Sequence, residues 1–302
     1  MTGVTVVIPC HSDREWDGLV RTVAAAHAQV PPPDAVVVVV DHNDGLFERA
    51  RAAFPRTTVV RNTGSRGASG ARNAGARLAT TPLVAFVDGD AVPRPGWLAA
   101  LLAPFADPRV TGTGGRIVPA WAGARPGWLP DEFLWTVGAS HLPDGAADHR
   151  VRNVWSGNMA VRRDAFVAVG GFRDGFGKVG NRSRPEDTDL CVRMGRSGEW
   201  RLVPGAVVDH GVPATHTTYR YFLRRCYAEG RGKVSMARLL GGRDDLAVES
   251  DWLRDTVRSS VRRLARGGAE RRRGGAAVTG LAAASVGAAV EVLTTLPVRT
   301  PR

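Results

Sequence analysis

The chain has 302 residues, 43% of them hydrophobic and 23% charged. That composition excludes a disordered chain and allows one large domain or two modest ones. The formal net charge is +12, and arginine supplies nearly all of it, Lys178 and Lys233 being the two lysines. Cys10, Cys191 and Cys226 are widely spaced without a Cys-x-x-Cys pair, which excludes a disulfide scaffold and a zinc ribbon and points to a reducing cytoplasm.

The apolar run at 4–9 reads as a buried strand and begins without the basic stretch of a secretory signal. Trp16, Leu19, Val20 and Val23 have helical spacing, which predicts a helix over 13–29 stopped by Pro31-Pro32-Pro33. Five consecutive valines at 36–40 predict a strand buried on both faces of a parallel sheet. A helix over 46–54, a strand over 57–61, a glycine-rich stretch over 62–70, a helix over 71–79 and a strand over 83–87 follow. Proline then opens a helix over 95–105. This alternation predicts an α/β fold with a doubly wound, mostly parallel sheet.

Past 110 the pattern loosens. Strands are expected over 116–119, 158–161, 201–203 and 206–208, loops over 112–115 and 170–180, and a helix over 188–197. The remainder reads as helical over 218–226, 252–265 and 276–296. A boundary near 212 divides the chain into 1–211 and a helical, arginine-rich C-terminal extension, 212–302.

Ligands of an open parallel sheet sit beyond the carboxyl ends of its strands. Asp41 follows the valine strand, and by itself reads as a turn or capping residue. Asp88-Gly89-Asp90 follows the strand at 83–87. Its glycine lets two carboxylates converge on one hard cation, although an Asp-Gly turn is also common without any ligand. His210 ends a strand; a lone histidine is usually a surface or core residue, and its strand-end position adds to the case for a metal ligand. The stretch from Asn62 to Asn73 opens a helix whose amides, with Arg72, can approach a diphosphate. It is neither a Gly-x-Gly-x-x-Gly turn after a first strand nor a loop with the phosphate-binding lysine. Glu186-Asp187, taken alone, is an acidic pair stabilising a helix N-terminus.

Taken together, Val7-Ile8-Pro9, Val39-Val40-Asp41, Gly70-Ala71-Arg72-Asn73-Ala74-Gly75, Phe86-Val87-Asp88-Gly89-Asp90 and Pro185-Glu186-Asp187 resemble glycosyltransferase family 2. Gly157-Asn158-Met159-Ala160 and Gly170-Gly171-Phe172 also look like that family. The resemblance implies a GT-A-like nucleotide-sugar-binding and catalytic domain over 1–211. It implies a donor site of Pro9, Asp41, Arg72, Asn73 and Asp88, and a Mn2+ or Mg2+ ion on Asp90, Asp88 and His210. Asp187 would be the catalytic base with Glu186 beside it, and Trp155, Gly157 and Asn158 would lie on the acceptor side. The activity implied is inverting, metal-dependent transfer from a nucleoside-diphosphate sugar to a lipid carrier, polysaccharide or natural product. The sequence departs from the family where Asp41-His42-Asn43-Asp44 stands for the common Asp-Asp-Gly-Ser. It also lacks the Gln-x-x-Arg-Trp motif of processive synthases. The alternatives are a nucleotidyltransferase and a non-enzymatic basic membrane-surface or nucleic-acid binder.

Residues 252–273 hold eight arginines against Asp255 and Glu270, which reads as a solvated basic helix or as one facing an anionic membrane. No nucleic-acid motif accompanies them, so no nucleic-acid partner is expected. The apolar stretch 276–296 contains Glu291, and an acid at mid-membrane costs about 2.5–3.5 kcal/mol. Surface packing or a place in the headgroup layer is therefore expected over a spanning helix. The expected location is cytoplasmic, peripheral on the inner face of the membrane. Trp121, Trp128, Trp135 and Trp155 read either as sugar-stacking or as core residues.

Overall fold

The computed structural model describes residues 3–142, 146–179, 182–240 and 247–294. They form two compact units. The first takes the described residues up to 120, 142–179 and 186–211. The second takes 121–141, 182–185 and those from 212 onward.

The first unit opens with Val4–Cys10 (β1), Trp16–His27 (α1), Ala35–Asp41 (β2), Asp44–Ala53 (α2), Thr58–Asn62 (β3), Ala68–Leu78 (α3) and Leu83–Val87 (β4). Strand β1 runs parallel to both β2 and β4, and β3 runs parallel to β2. The valine run explains itself in packing. Val36, Val38 and Val40 join Ile8 and Leu46 in one apolar layer, while Val37 and Val39 join Val7, Ala71 and Phe86 in the other. A strand with period-two side chains and helices over both faces needs apolar residues at every position.

Ala91–Pro93 (β5), Trp97–Leu102 (α4), Val110–Trp121 (β6), His149–Val151 (β7), Asn158–Arg162 (β8), Arg163–Ala168 (α5), Gly177–Val179 (β9), Arg182–Arg184 (β10), Glu186–Met194 (α6) and Glu199–Val212 (β11) follow. The large sheet has the order β3-β2-β1-β4-β8-β6-β11-β5, with β7 alongside β11. The pairings among the first four strands are all parallel. Strand β8 runs antiparallel to β4 and β6, and β11 antiparallel to β5 and β7.

Residues 112–115, expected as a loop, lie inside β6. Their glycines serve close packing rather than turning: a side chain on Gly112 would enter the Trp200 ring, and one on Gly114 would enter Val154. The strands expected at 201–203 and 206–208 are parts of one strand, β11, which continues through Pro204 and Gly205. The loop expected over 170–180 contains β9, and its Gly180 lies outside the described residues.

The second unit is built on Tyr219–Leu240 (α7), Ala247–Arg266 (α8) and Gly268–Thr294 (α9). Helix α7 runs well past the expected end at 226. Helix α9 begins before the expected start at 276, and residues 295–296 of that expectation lie outside the described residues. Phe133 is the hub of the aromatic core, 5.4 Å from the rings of both Phe222 and Trp252. Trp121, Trp128 and Trp135 pack on the same cluster and are partly buried. Gly230 faces the Ala284 backbone and Gly287 faces that of Tyr227, which lets α7 and α9 approach closely. Helix α9 is long and apolar enough to cross a membrane. Its one acid in the apolar part, Glu291, is met by Arg231 at 2.7 Å and by the Ser235 hydroxyl at 2.9 Å, both on α7.

Candidate active site

The site is assembled at the ends of β1, β4 and β11 and at the start of α6, all within the first unit. After β4 the chain turns through Asp88-Gly89-Asp90, closed by the Ala91 amide donating to the Asp88 carbonyl at 3.0 Å. Glycines let neighbouring backbones crowd this turn. A Cβ on Gly89 would stand 3.1 Å from the Pro9 carbonyl, and one on Gly157 would stand 2.5 Å from Asp88 Oδ2. Gly157 also accepts the Asp88 amide at 3.3 Å.

Arg72, on α3, is buried and joins two acids that lie far apart in sequence. Its Nη2 is 2.6 Å from Asp88 Oδ1 and its Nη1 is 3.3 Å from Glu186 Oε1. The guanidinium lies 5.6 Å from the centroid of the Phe172 ring. Burial alone would weaken its charge, but Asp88 and Glu186 outweigh burial and raise its pKa above the usual arginine value. Arg72 therefore acts behind Asp88, as a strut between the β4 turn and α6.

Asp90 points the other way. Its Oδ1 is 3.5 Å from His210 Nε2. His210 lies opposite Ala91 in the β11–β5 register, and the Gly211 amide donates to the Asp90 carbonyl at 3.0 Å. Burial pushes the Asp90 carboxyl above the ordinary carboxylate range; His210 opposes that shift and Asp88 adds to it. The His210 Nδ1 is buried without a hydrogen-bond partner.

Glu15, which the sequence did not single out, is a further candidate for the site. It follows β1 and forms an ion pair with His11 at 3.5 Å. Burial raises its pKa, His11 opposes, and Asp90 and Asp88 raise it further, so it shares the field of the two aspartates. The available signal was the carboxyl end of β1, a strand end like those that drew attention to Asp41 and Asp88.

Other expected residues are placed in supporting positions. Asp41 accepts from Asn62 Nδ2 at 2.6 Å and from the Gly67 amide at 2.9 Å, so its two oxygens hold the 62–67 turn in place. Asn73, expected at the donor, has its amide engaged by the Phe172 backbone in both directions, at 2.7 and 3.0 Å. Asn158, expected on the acceptor side, is 0% exposed. It donates to the carbonyls of Arg116 and Ala206 and accepts from Trp97 Nε1. Both asparagines act as internal ties, because a buried amide must satisfy its own donors and acceptor. Pro9 is buried in β1, and Trp155 is half-buried against the core.

Three acids open α6, and each has a different environment. Glu186 meets Arg72. Asp189, 1% exposed, is clamped by Arg173 at 2.8 Å and by Arg193 at 2.7 Å. Arg193 also donates to the Val169 and Gly171 carbonyls, at 2.7 Å each, which fixes α6 to the loop after α5. Asp187 lies between them, half-buried, with Oδ1 accepting from the Thr188 amide at 2.7 Å.

Among the described residues no three His, Cys, Asp or Glu side chains converge on one cation position. Asp90, in the turn just before β5, and His210, on the neighbouring β11, supply a carboxylate and an imidazole, a donor pair that suits a divalent cation whose remaining ligands come from phosphate oxygens.

The sequence model described as Glycosyl transferase family 2 matches residues 5–170. A glucosyl-dolichyl phosphate glucuronosyltransferase of Haloferax volcanii is 30% identical over 240 residues, covering 77% of each chain. A pre-mycofactocin glycosyltransferase of Mycobacterium tuberculosis is 31% identical over 211 residues, covering 68% of this chain and 42% of that protein. Among solved structures, the mannosyltransferase PcManGT of Pyrobaculum calidifontis, in complex with GDP-Man and Mn2+, is similar with a TM-score of 0.63 at 19% identity. That match covers 98% of this chain and 88% of the other. GalNAc-T7 with UDP, GalNAc and Mn2+ is similar with a TM-score of 0.54 at 19% identity, covering 84% and 54%. The family match decides for glycosyl transfer over nucleotidyl transfer and over a purely binding role. A GT-A sheet carrying these motifs at its strand ends, matched by the family model over more than half its length, places the chain in glycosyltransferase family 2.

Proposed function

We propose that this glycosyltransferase moves a sugar from a nucleoside diphosphate to an acceptor nucleophile with inversion, using Mn2+ or Mg2+. We propose further that the acceptor is carried by a lipid phosphate at the cytoplasmic face of a membrane. The observation that carries the first reading is the Arg72 bridge, which ties Asp88 to the start of α6 beside the Asp90–His210 pair. The lipid-borne acceptor is supported by the name of the Haloferax volcanii relative and by the arginine-rich helices past 212. Residues 1–211 would carry the chemistry and 212–302 the surface contact.

Asp90 and His210 would hold the cation, with Asp88 turned toward donor ribose or cation. Bound there, a divalent ion would offset charge on the departing diphosphate. Pro9 and Asp41 would border the nucleotide, Asp41 through the turn it holds. An acceptor oxygen would form its bond to the anomeric carbon as the bond from that carbon to the diphosphate oxygen breaks on the opposite face. Asp187 would take the acceptor proton. One displacement inverts the anomeric centre, so an α-linked donor would give a β-linked product.

The test uses UDP- and GDP-sugars, selected by the rise in melting temperature that ligand binding to the folded state produces. Nucleoside diphosphate release is then followed with and without a polyprenyl phosphate. Asp187→Asn should lower turnover by about 10²–10⁴-fold and leave donor affinity within twofold. Wild-type turnover retained in that variant would remove Asp187 from the reaction.

A further inference from the structure

Apart from Trp252, which packs on Phe133, helix α8 inverts the usual pattern over its described side chains, with small polar residues inside and aliphatic ones exposed. Its buried residues are Thr256 and Ser260, 2% and 1% exposed. Beside them the half-buried Arg263 pairs with Glu132 at 2.5 Å, and the Ser259 hydroxyl donates to the same acid at 2.8 Å. Flanking them are the exposed Leu253, Val257, Val261 and Leu264, with Val261 63% exposed and Leu264 also bordering Gly274 of α9. These four recur at intervals of four, four and three residues and so form one ridge along the helix. Helix α9 shows a related inversion: its buried positions are glycine and alanine, while Val286 and Leu293 are 57% and 69% exposed.

A second row lies beside the α8 ridge. Arg254, Arg258, Arg262 and Arg266 recur every four residues, each one or two positions after a ridge residue, and all are exposed. Arg254 and Arg258 have surface partners in Asp251 and Asp255, whereas Arg262 and Arg266 have no carboxylate partner among the described residues. An apolar ridge bordered by unpaired guanidinium groups is complementary to an acyl boundary beneath anionic headgroups. Aliphatic residues between the arginines, rather than stacking aromatics, disfavour single-stranded nucleic acid.

We propose that the outer face of α8 docks this protein on an anionic lipid surface, with the Leu253–Val257–Val261–Leu264 ridge in the acyl boundary and Arg258, Arg262 and Arg266 on the headgroups. The proposal rests on the membrane-surface part of the proposed function and on none of its catalytic part.

The experiment is vesicle co-sedimentation of the full chain, using phosphatidylcholine alone or mixed with phosphatidylglycerol, at low and high salt. Binding should require phosphatidylglycerol and weaken as salt rises. Each basic side chain near such a surface contributes about a factor of five, so R262Q/R266Q should bind about 30-fold more weakly. V257S/V261S should lose binding at all salt concentrations. Melting temperature and nucleotide-induced stabilisation should be unchanged in both variants, since the substituted side chains face solvent. If the wild type binds and both variants bind equally well, α8 is not the docking face, although the membrane-surface reading stands. If the wild type ignores every vesicle, both fail. Dimers that V261S dissolves, or tighter binding to a DNA duplex than to vesicles, would assign the ridge to another occupant and overturn the proposal.

Discussion

In the first unit Arg72, Arg162 and Arg193 lie inward, and each ends on particular oxygens: Asp88 and Glu186, the Val110 and Phe105 carbonyls, Asp189 and the Val169 carbonyl. In the second unit Arg254, Arg258, Arg262 and Arg266 line the outside of α8. The same residue type does two kinds of work. Buried and paired, a guanidinium fixes the distance between chain segments, and its loss leaves an uncompensated charge. Exposed in a row, it sets a field whose value depends on salt and on what approaches. A net charge of +12 is therefore a poor guide by itself, because it sums residues with unrelated roles.

Removing buried arginines should have the largest effect. Arg193→Met leaves Asp189 with Arg173 alone and strips the Val169 and Gly171 carbonyls of their donor. It should cost about 3 kcal/mol in urea unfolding, and a loss under 1 kcal/mol would mean that α6 is held by packing rather than by this clamp. Arg72→Met should cost less, about 2 kcal/mol, because Asp88 is 36% exposed and water can take over part of the pairing. It should also weaken metal-dependent nucleotide binding, and Arg72→Lys should restore stability better than affinity. Equal affinity in wild type and Arg72→Met would separate the strut from the site.

A smaller effect is expected at Gly157. Alanine there brings a methyl against Asp88 Oδ2, and overpacking of this kind costs about 1–3 kcal/mol unless a neighbour gives way. The Asp88 side chain is the neighbour that must shift against its tie to Arg72, so Gly157→Ala should lower nucleotide affinity about tenfold with a modest change in melting temperature. Unchanged affinity in calorimetry would show that the Asp88 orientation is unimportant. At the far end of the scale, Arg254→Ala removes one member of an exposed pair and should change stability by less than about 0.5 kcal/mol. A loss comparable to that of Arg193→Met would erase the contrast between the two units.

The parallel half of the sheet was legible because its signals are local. Consecutive valines at 36–40 and the apolar run at 83–87 need apolar residues on both faces, and Asp88-Gly89-Asp90 follows at a strand end. The glycines of β6 misled, because glycine in sequence suggests a turn, while here Gly112 and Gly114 make room for Trp200 and Val154 from remote segments. Pro204-Gly205 suggested a break for the same reason, although β11 continues through it. Within the candidate site the acids were visible as types at strand ends. Their partners were not: that Arg72 would face both Asp88 and Glu186 depends on α3 and α6 meeting, which no spacing encodes. The amides of Asn73 and Asn158 tie backbone segments together, a role that their motifs do not announce. That α8 leaves an aliphatic ridge exposed became visible once Thr256 and Ser260 were seen inside.

In the mechanism we propose, Asp90 and His210 form half of a cation site which a nucleoside diphosphate completes. The most direct measurement is a Mn2+ titration followed by electron paramagnetic resonance, with and without UDP or GDP, on the wild type, Asp90→Ala and His210→Ala. Mn2+ uptake should be tight when the matching nucleotide is present and weak without it, and the nucleotide-dependent signal should be lost in both variants. Uptake that ignores the nucleotide, or that persists in Asp90→Ala, would contradict it.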